Sequence, residues 1–195
     1  MTEQGKRKTM IVTGASQGIG AGVTKAFIKR GYNVVANSRK ITESEFVPTD
    51  RLALVDGGIG EASTAAKIAA AAMNTFGSID GVVNNAGIFF AKHFTDYTVR
   101  DFELLSETNL QGYVYITQLA VKQMLAQKTG GSVNRHHDGD GGASHRRSQR
   151  FRPDDHEGRP GGDHAQLGDG VRERRHPLQR RRSRHRRYAG ACKCP

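Results

Sequence analysis

Thr13-Gly14-Ala15-Ser16-Gln17-Gly18-Ile19-Gly20 is the stretch whose reading decides the fold. It follows Thr9-Met10-Ile11-Val12-Thr13, an apolar run of the kind that forms a buried strand. It leads into Ile19, Val23, Ala26 and Phe27 at helical spacing, with Gly31 as a stop. Strand, glycine-rich turn and helix in that order have a chemical use. Glycines let the backbone approach a pyrophosphate, and the helix N-terminus offers free N–H groups and the positive end of its dipole. The spacing is Gly-x-x-x-Gly-x-Gly, not the Gly-x-Gly-x-x-Gly of the common dinucleotide fingerprint. On its own the turn therefore also reads as a tight turn with no ligand.

Outward from this turn, strand and helix signals alternate. Strands are predicted over 33–36, 52–55 and 79–83, with a fifth beginning at Gly131-Ser132-Val133. An alanine-rich helix is predicted over 61–76, stopped by Gly77. A long helix is predicted over 101–127, with Phe102, Leu105, Leu110, Val114, Leu119 and Leu125 as its buried stripe. Alternation of this kind implies an α/β fold, a doubly wound parallel sheet covered on both faces. Four to five strands are legible in this way.

Composition sets the boundary. The chain has 195 residues and a formal net charge of +11. Residues 1–133 hold 14 Lys and Arg against 11 Asp and Glu, whereas 134–195 hold 16 against 8. In the second segment only Phe151, Leu167, Val171 and Leu178 come from the set Leu, Ile, Val and Phe. Four such side chains cannot offset an ordering cost of roughly 1–2 kcal/mol per residue. The expectation is a folding unit over 1–133, an incomplete nucleotide-binding domain, followed by a disordered Arg-, Gly- and His-rich tail over 134–195.

Two further motifs sharpen the reading. Asn84-Asn85-Ala86-Gly87 follows the fourth strand, and Asn109-Leu110-Gln111-Gly112 lies in the long helix. With the glycine turn, they make residues 8–133 closely resemble the short-chain dehydrogenase/reductase family. The resemblance implies a Rossmann-like sheet, here truncated after four to five strands with strand four or a remnant of strand five as an open edge. It also implies hydride transfer between NAD(P) and a small-molecule carbonyl or alcohol, and homo-oligomers among intact relatives. It places Gly14, Gly18 and Gly20 around the pyrophosphate, with Ser16, Gln17 and Ile19 in the same loop. It makes Asp56 the carboxylate for the adenine amino group; Gly57 after it departs from the usual small β-branched residue. Asn84, Ala86 and Gly87 would back the adenine ribose, and Asn109 would be the catalytic-helix asparagine that anchors a lysine through water.

Cofactor choice rests on Ala36-Asn37-Ser38-Arg39-Lys40 at the end of strand two. A carboxylate there would bind the ribose 2′-OH of NAD and repel a 2′-phosphate. No acid occurs before Glu43. Ser38 and Arg39 thus point to NADP over NAD, with Arg39 able to grip a phosphate as a charged fork.

The family pattern then breaks. A tyrosine four residues before a lysine should let a phenol exchange a proton with the substrate oxygen. None of Tyr32, Tyr97, Tyr113, Tyr115 and Tyr188 has that lysine, and Ser144 and Ser148 cannot be given the family serine's role. The tail reads as a coding region out of frame. When the last two bases of each codon are joined to the first of the next, permitted codons from Asp154 to His164 spell Met-Thr-Thr-Lys-Gly-Gly-Leu-Glu-Ala-Ile-Thr. Those from Leu167 to Ala189 spell a sequence resembling the family's next helix, sixth strand and Pro-Gly loop. A frameshift near residue 133 is the expectation, and the recovered frame still has no tyrosine at the family position. A cofactor-binding pseudoenzyme is the alternative to a damaged reductase.

Other function classes are weaker. Arg180 to Arg187 could neutralise phosphates of a nucleic acid without sequence preference, but the shifted-frame reading argues against any specific nucleic-acid partner. His136, His137, Cys192 and Cys194 match no closed zinc spacing, so no metal is expected. The two cysteines exclude a disulfide framework. No apolar run approaches the roughly 18 residues of a spanning helix, and Met1 to Lys8 does not read as a signal peptide. A cytoplasmic protein without membrane contact is the expectation.

Overall fold

The computed structural model describes residues 7–43, 46, 47 and 49–135, and the backbone of 147–151. All fall within one compact unit, Met1–Gly158. The sheet has six strands: β1 Thr9–Thr13, β2 Asn33–Ser38, β3 Leu52–Asp56, β4 Gly81–Asn84, β5 Gly131–Arg135 and β6 Arg147–Phe151. Their order is β3-β2-β1-β4-β5-β6. β1 to β5 run parallel, with Ile11 level with Val35 on one side and Val82 on the other.

Side chains alternate across each strand, so neighbours on β1 enter different cores. Ile11 packs with Ile68, Ile79, Val82, Ile116 and Met124 beneath helices α2 (Ala62–Phe76) and α4 (Gly112–Ala126). Val12 packs with Val34, Ala36 and Ile41 on the other face, against Val23, Phe27 and Ile28 of α1 (Gly18–Lys29). This is the doubly wound arrangement that the alternating pattern predicts. α2 ends where expected: Gly77 takes a left-handed conformation (φ 71°), and its N–H reaches the carbonyls of Ala72 and Met73.

Three features differ from expectation. First, the long helix is broken. α3 (Val99–Ser106) opens with a capping box between Thr98 and Asp101 and passes through a π-helical turn, Glu107–Gln111, into α4. Secondly, the predicted stripe is not the buried face. Phe102, Leu110 and Val114 are exposed, while Gly112, Ile116, Ala120 and Met124 are buried at a spacing of four. Helical spacing alone left several apolar faces possible, and small residues let α4 lie close to the sheet. Thirdly, β5 is not an open edge. β6 pairs with it antiparallel, Val133 opposite Gln149. Ladder bonds come from the backbone and require no apolar side chains, so 147–151 can pair here despite its composition. The rest of the expected tail, 136–146 and 152–195, lies outside the described residues, as do the basic run, the cysteines and Ser144.

Candidate functional site

β1 sends one connection toward β2 and β3, while the chain later returns on its other side as β4. At this reversal the C-terminal ends of the strands part, and a crevice forms where α/β sheets bind ligands. A cleft of about 700 Å³ occupies the place. Its floor is the turn after β1, its sides the ends of β2 and β3 and the segment after β4.

The glycines explain the floor. Gly18 has φ 54°, and a Cβ there would meet nothing within 4 Å, so the turn keeps this side clear. Gly20 serves a different end: a Cβ on it would clash with the Gly14 carbonyl and the Asn85 amide. Its bareness brings α1 close beneath the turn. Gln17, the residue before α1, is extended and makes no side-chain cap, so it leaves the first-turn N–H groups to other acceptors.

A set of polar side chains holds the walls. The Thr13 hydroxyl accepts the N–H groups of Asn85 and Ala86 at 3.1 and 3.0 Å. Asn85 Nδ2 donates to the carbonyls of Thr13 and Gly14 at 3.1 and 3.0 Å. Buried Asn37 donates to the carbonyls of Val55 and Gly57, tying β2 to the end of β3. Ser38 Oγ donates to Ser16 Oγ at 3.0 Å. Sequence reasoning missed Thr13, Asn37 and Asn85 as organisers; the one available signal was their position at strand ends beside the motifs.

Most predicted site residues come together. Gly14, Ser16, Gln17, Gly18, Ile19, Ser38, Arg39, Ala86 and Gly87 line the cleft. Asn84 and Asn109 line a smaller recess of about 160 Å³, which shares Ala86 and Gly87 with it. Asn84 Nδ2 donates to Thr117 Oγ1 at 3.1 Å, and Asn109 pairs with the backbone of Ile88. Gly20 lies under the floor. Asp56 stands apart: it is exposed, does not line the cleft, and accepts the Thr42 hydroxyl and N–H at 2.6 and 3.0 Å. The Thr42 hydroxyl holds its carboxyl below the usual range. Glu61 and Glu107 stand at the lip. No group of three or more potential metal ligands occurs among the described residues.

The residues present suit a dinucleotide. The turn offers an unobstructed glycine surface and uncapped N–H groups, which complement a pyrophosphate. The end of β2 carries a hydroxyl and a guanidinium but no carboxylate among the lining residues.

Comparison with known proteins agrees with this geometry. Residues 8–135 match the family model described as short chain dehydrogenase. The chain is 34% identical over 134 residues to L-rhamnose 1-dehydrogenase (NAD(P)(+)) of Sphingomonas, covering 65% of this chain and 52% of that protein. A Brucella melitensis short-chain dehydrogenase/reductase of the glucose/ribitol dehydrogenase type superposes with a TM-score of 0.57 at 30% identity, covering 63% and 55% of the two chains. The 3-ketoacyl-(acyl-carrier-protein) reductase of the same organism, solved with NADH, gives 0.59 at 27% identity over 62% and 52%. The chain spans about half the length of the curated relatives it matches.

Proposed function

Because this chain belongs to the short-chain dehydrogenase family, we propose that its cleft binds an NAD(P)(H) dinucleotide, with NADP(H) preferred, and that it represents an oxidoreductase acting on a carbonyl or alcohol. When bound, the cofactor supplies the hydride. The chain's residues would divide the remaining work. Gly14, Ser16, Gln17, Gly18 and Ile19 would cradle the pyrophosphate, with Gly20 admitting the helix beneath. Asn84, Ala86 and Gly87 would wall the ribose side, and Asp56 would have to exchange Thr42 for the adenine amino group. Asn109 would fix the segment after β4.

The observation that carries the NADP(H) preference is the end of β2. Ser38 and Arg39 line the cleft, while the neighbouring carboxylate, Asp56, level with Ser38 on β3, does not line it and is held by Thr42. A 2′-phosphate would meet a guanidinium there instead of a repelling carboxylate.

We further propose that the chain as written does not turn over. It lacks the tyrosine–lysine pair, and general acid–base help is worth roughly 10²–10⁴-fold. The out-of-frame reading of the tail supports this, and it favours a small-molecule substrate over a specific nucleic-acid partner. No helix among the described residues is long and apolar enough to cross a membrane.

Fluorescence titration of NADPH against NADH tests the reading. NADPH should bind about tenfold tighter, and Arg39→Ala should erase the difference. Equal affinity in the parent chain would overturn the preference, and no binding of either would overturn the cleft's assignment. NADPH absorbance should not decay with any of a panel of carbonyl compounds.

A further inference from the structure

We propose that the 160 Å³ recess beside the cleft is a binding site for a small carboxylate, centred on Arg135. Its volume is about five times the ~30 Å³ share of a liquid water, room for an acid of a few heavy atoms. Arg135 closes β5 at the recess wall. Its guanidinium lies 5.1 Å from the ring centroid of Tyr113, and Nη2 donates to the Asn109 carbonyl at 3.3 Å. Two contacts from two different turns of the helical rod fix the plane of the fork. A fork held in advance loses less freedom when an anion arrives.

Among the described residues the charge has no acidic partner. No Asp or Glu lines the recess, and no ion pair involves Arg135 among the described residues. A guanidinium has five N–H donors, and a single one is used among the described residues. Apolar groups of Ile59, Ala86 and Ile88 complete the walls, which suits an acid with a short aliphatic body. A planar fork matches a carboxylate in two-point geometry.

The recess shares Ala86, Gly87 and Ile88 with the large cleft. If the cleft holds a dinucleotide, the site would hold a carboxylate-bearing compound beside it. That consequence rests on the proposed function; the anion site does not.

The test is calorimetric titration of the full chain with propionate at low ionic strength and without nucleotide, with propionamide as the neutral isostere. Propionate should saturate one site, and propionamide should bind at least about tenfold more weakly. Arg135→Gln should weaken propionate by about tenfold or more, and Arg135→Lys by less, because it keeps the charge and loses the fork. Tyr113→Leu should weaken it several-fold by removing the stacking platform. The many other arginines remain in every variant, so binding unchanged in Arg135→Gln would overturn the proposal. If that variant fails to fold, Arg135→Lys and propionamide decide: equal binding in either comparison overturns it. A chain that binds NADPH but not propionate lacks the anion site and keeps its cleft; one that binds propionate but not NADPH supports the anion site and sinks the earlier reading.

Discussion

Asn109 and Ile88 are bonded twice: Asn109 Oδ1 accepts the Ile88 N–H and Asn109 Nδ2 donates to the Ile88 carbonyl, both at 2.9 Å. The amide thereby mimics one rung of a β-ladder and fastens the segment after β4 to the π-helical turn. Asn109→Ala would leave two part-buried backbone groups without partners. An unmet group of this kind costs about 1–3 kcal/mol. Urea denaturation should show a loss in that range, and Asn109→Asp, which loses only the donor, should lie between. Equal stability of Asn109→Ala and the parent chain would contradict the account.

The two glycines of the floor should respond differently. Gly20→Ala places a methyl inside contact distance of the Gly14 carbonyl, so the backbone must shift. Overpacking of this type costs about 1–3 kcal/mol. Gly18→Ala finds open space and meets only the left-handed backbone penalty of about 1–2 kcal/mol. Thermal melts should rank Gly20→Ala below Gly18→Ala. Both should weaken nucleotide binding, Gly18→Ala by crowding the open side of the turn.

Asp101 should make local structure sensitive to acid. The Lys92 ammonium at 2.7 Å, aided by the N–H and hydroxyl of Thr98, holds its carboxyl down to about 2 from 3.8. A depressed carboxyl stabilises the fold above its unfolded value and loses that contribution as pH falls through its folded one. The start of α3 should therefore be fully protected above about pH 5 and loosen between about 4 and 2. Hydrogen exchange at the Thr98 and Asp101 amides would follow it. Asp101→Asn should remove the pH dependence in that window.

Thr24 offers a stabilising change. Its hydroxyl is buried in α1 and has no hydrogen-bond partner among the described residues. Burying an unpaired hydroxyl costs about 1–3 kcal/mol in proteins. Thr24→Val keeps the shape and removes that cost, so the denaturation midpoint should rise. A lower midpoint would show that the hydroxyl has a partner after all.

Legibility in the sequence followed the range of the interactions. β1 matches its apolar run residue for residue, and α2 stops at the glycine that reads as a stop, because burial and turn chemistry are encoded locally. Nine of the thirteen residues proposed for the site line one cleft, since a motif fixed by backbone geometry carries its neighbours with it. Thr13 and Asn85 were not legible as a pair. They lie 72 positions apart, and neither residue type announces a partner at that distance. Asp56 was legible as a strand-end carboxylate, but its pairing with Thr42 depends on the short turn after β2. β6 left no trace, because Arg147-Ser148-Gln149-Arg150-Phe151 has the composition of a solvated segment, and its pairing with β5 is a backbone ladder.

The π-helical turn at Glu107–Gln111 gives the rod from Val99 to Ala126 slack in its length. In an uninterrupted α-helix each added or removed residue rotates everything beyond it by about 100°. A π-turn closes i→i+5 bonds and so takes up one residue more than an α-turn. Deleting one residue from it would therefore allow regular winding with Ile116, Ala120 and Met124 still toward the sheet, whereas the same deletion inside α4 would swing those beyond it away. The rod carries a spare syllable.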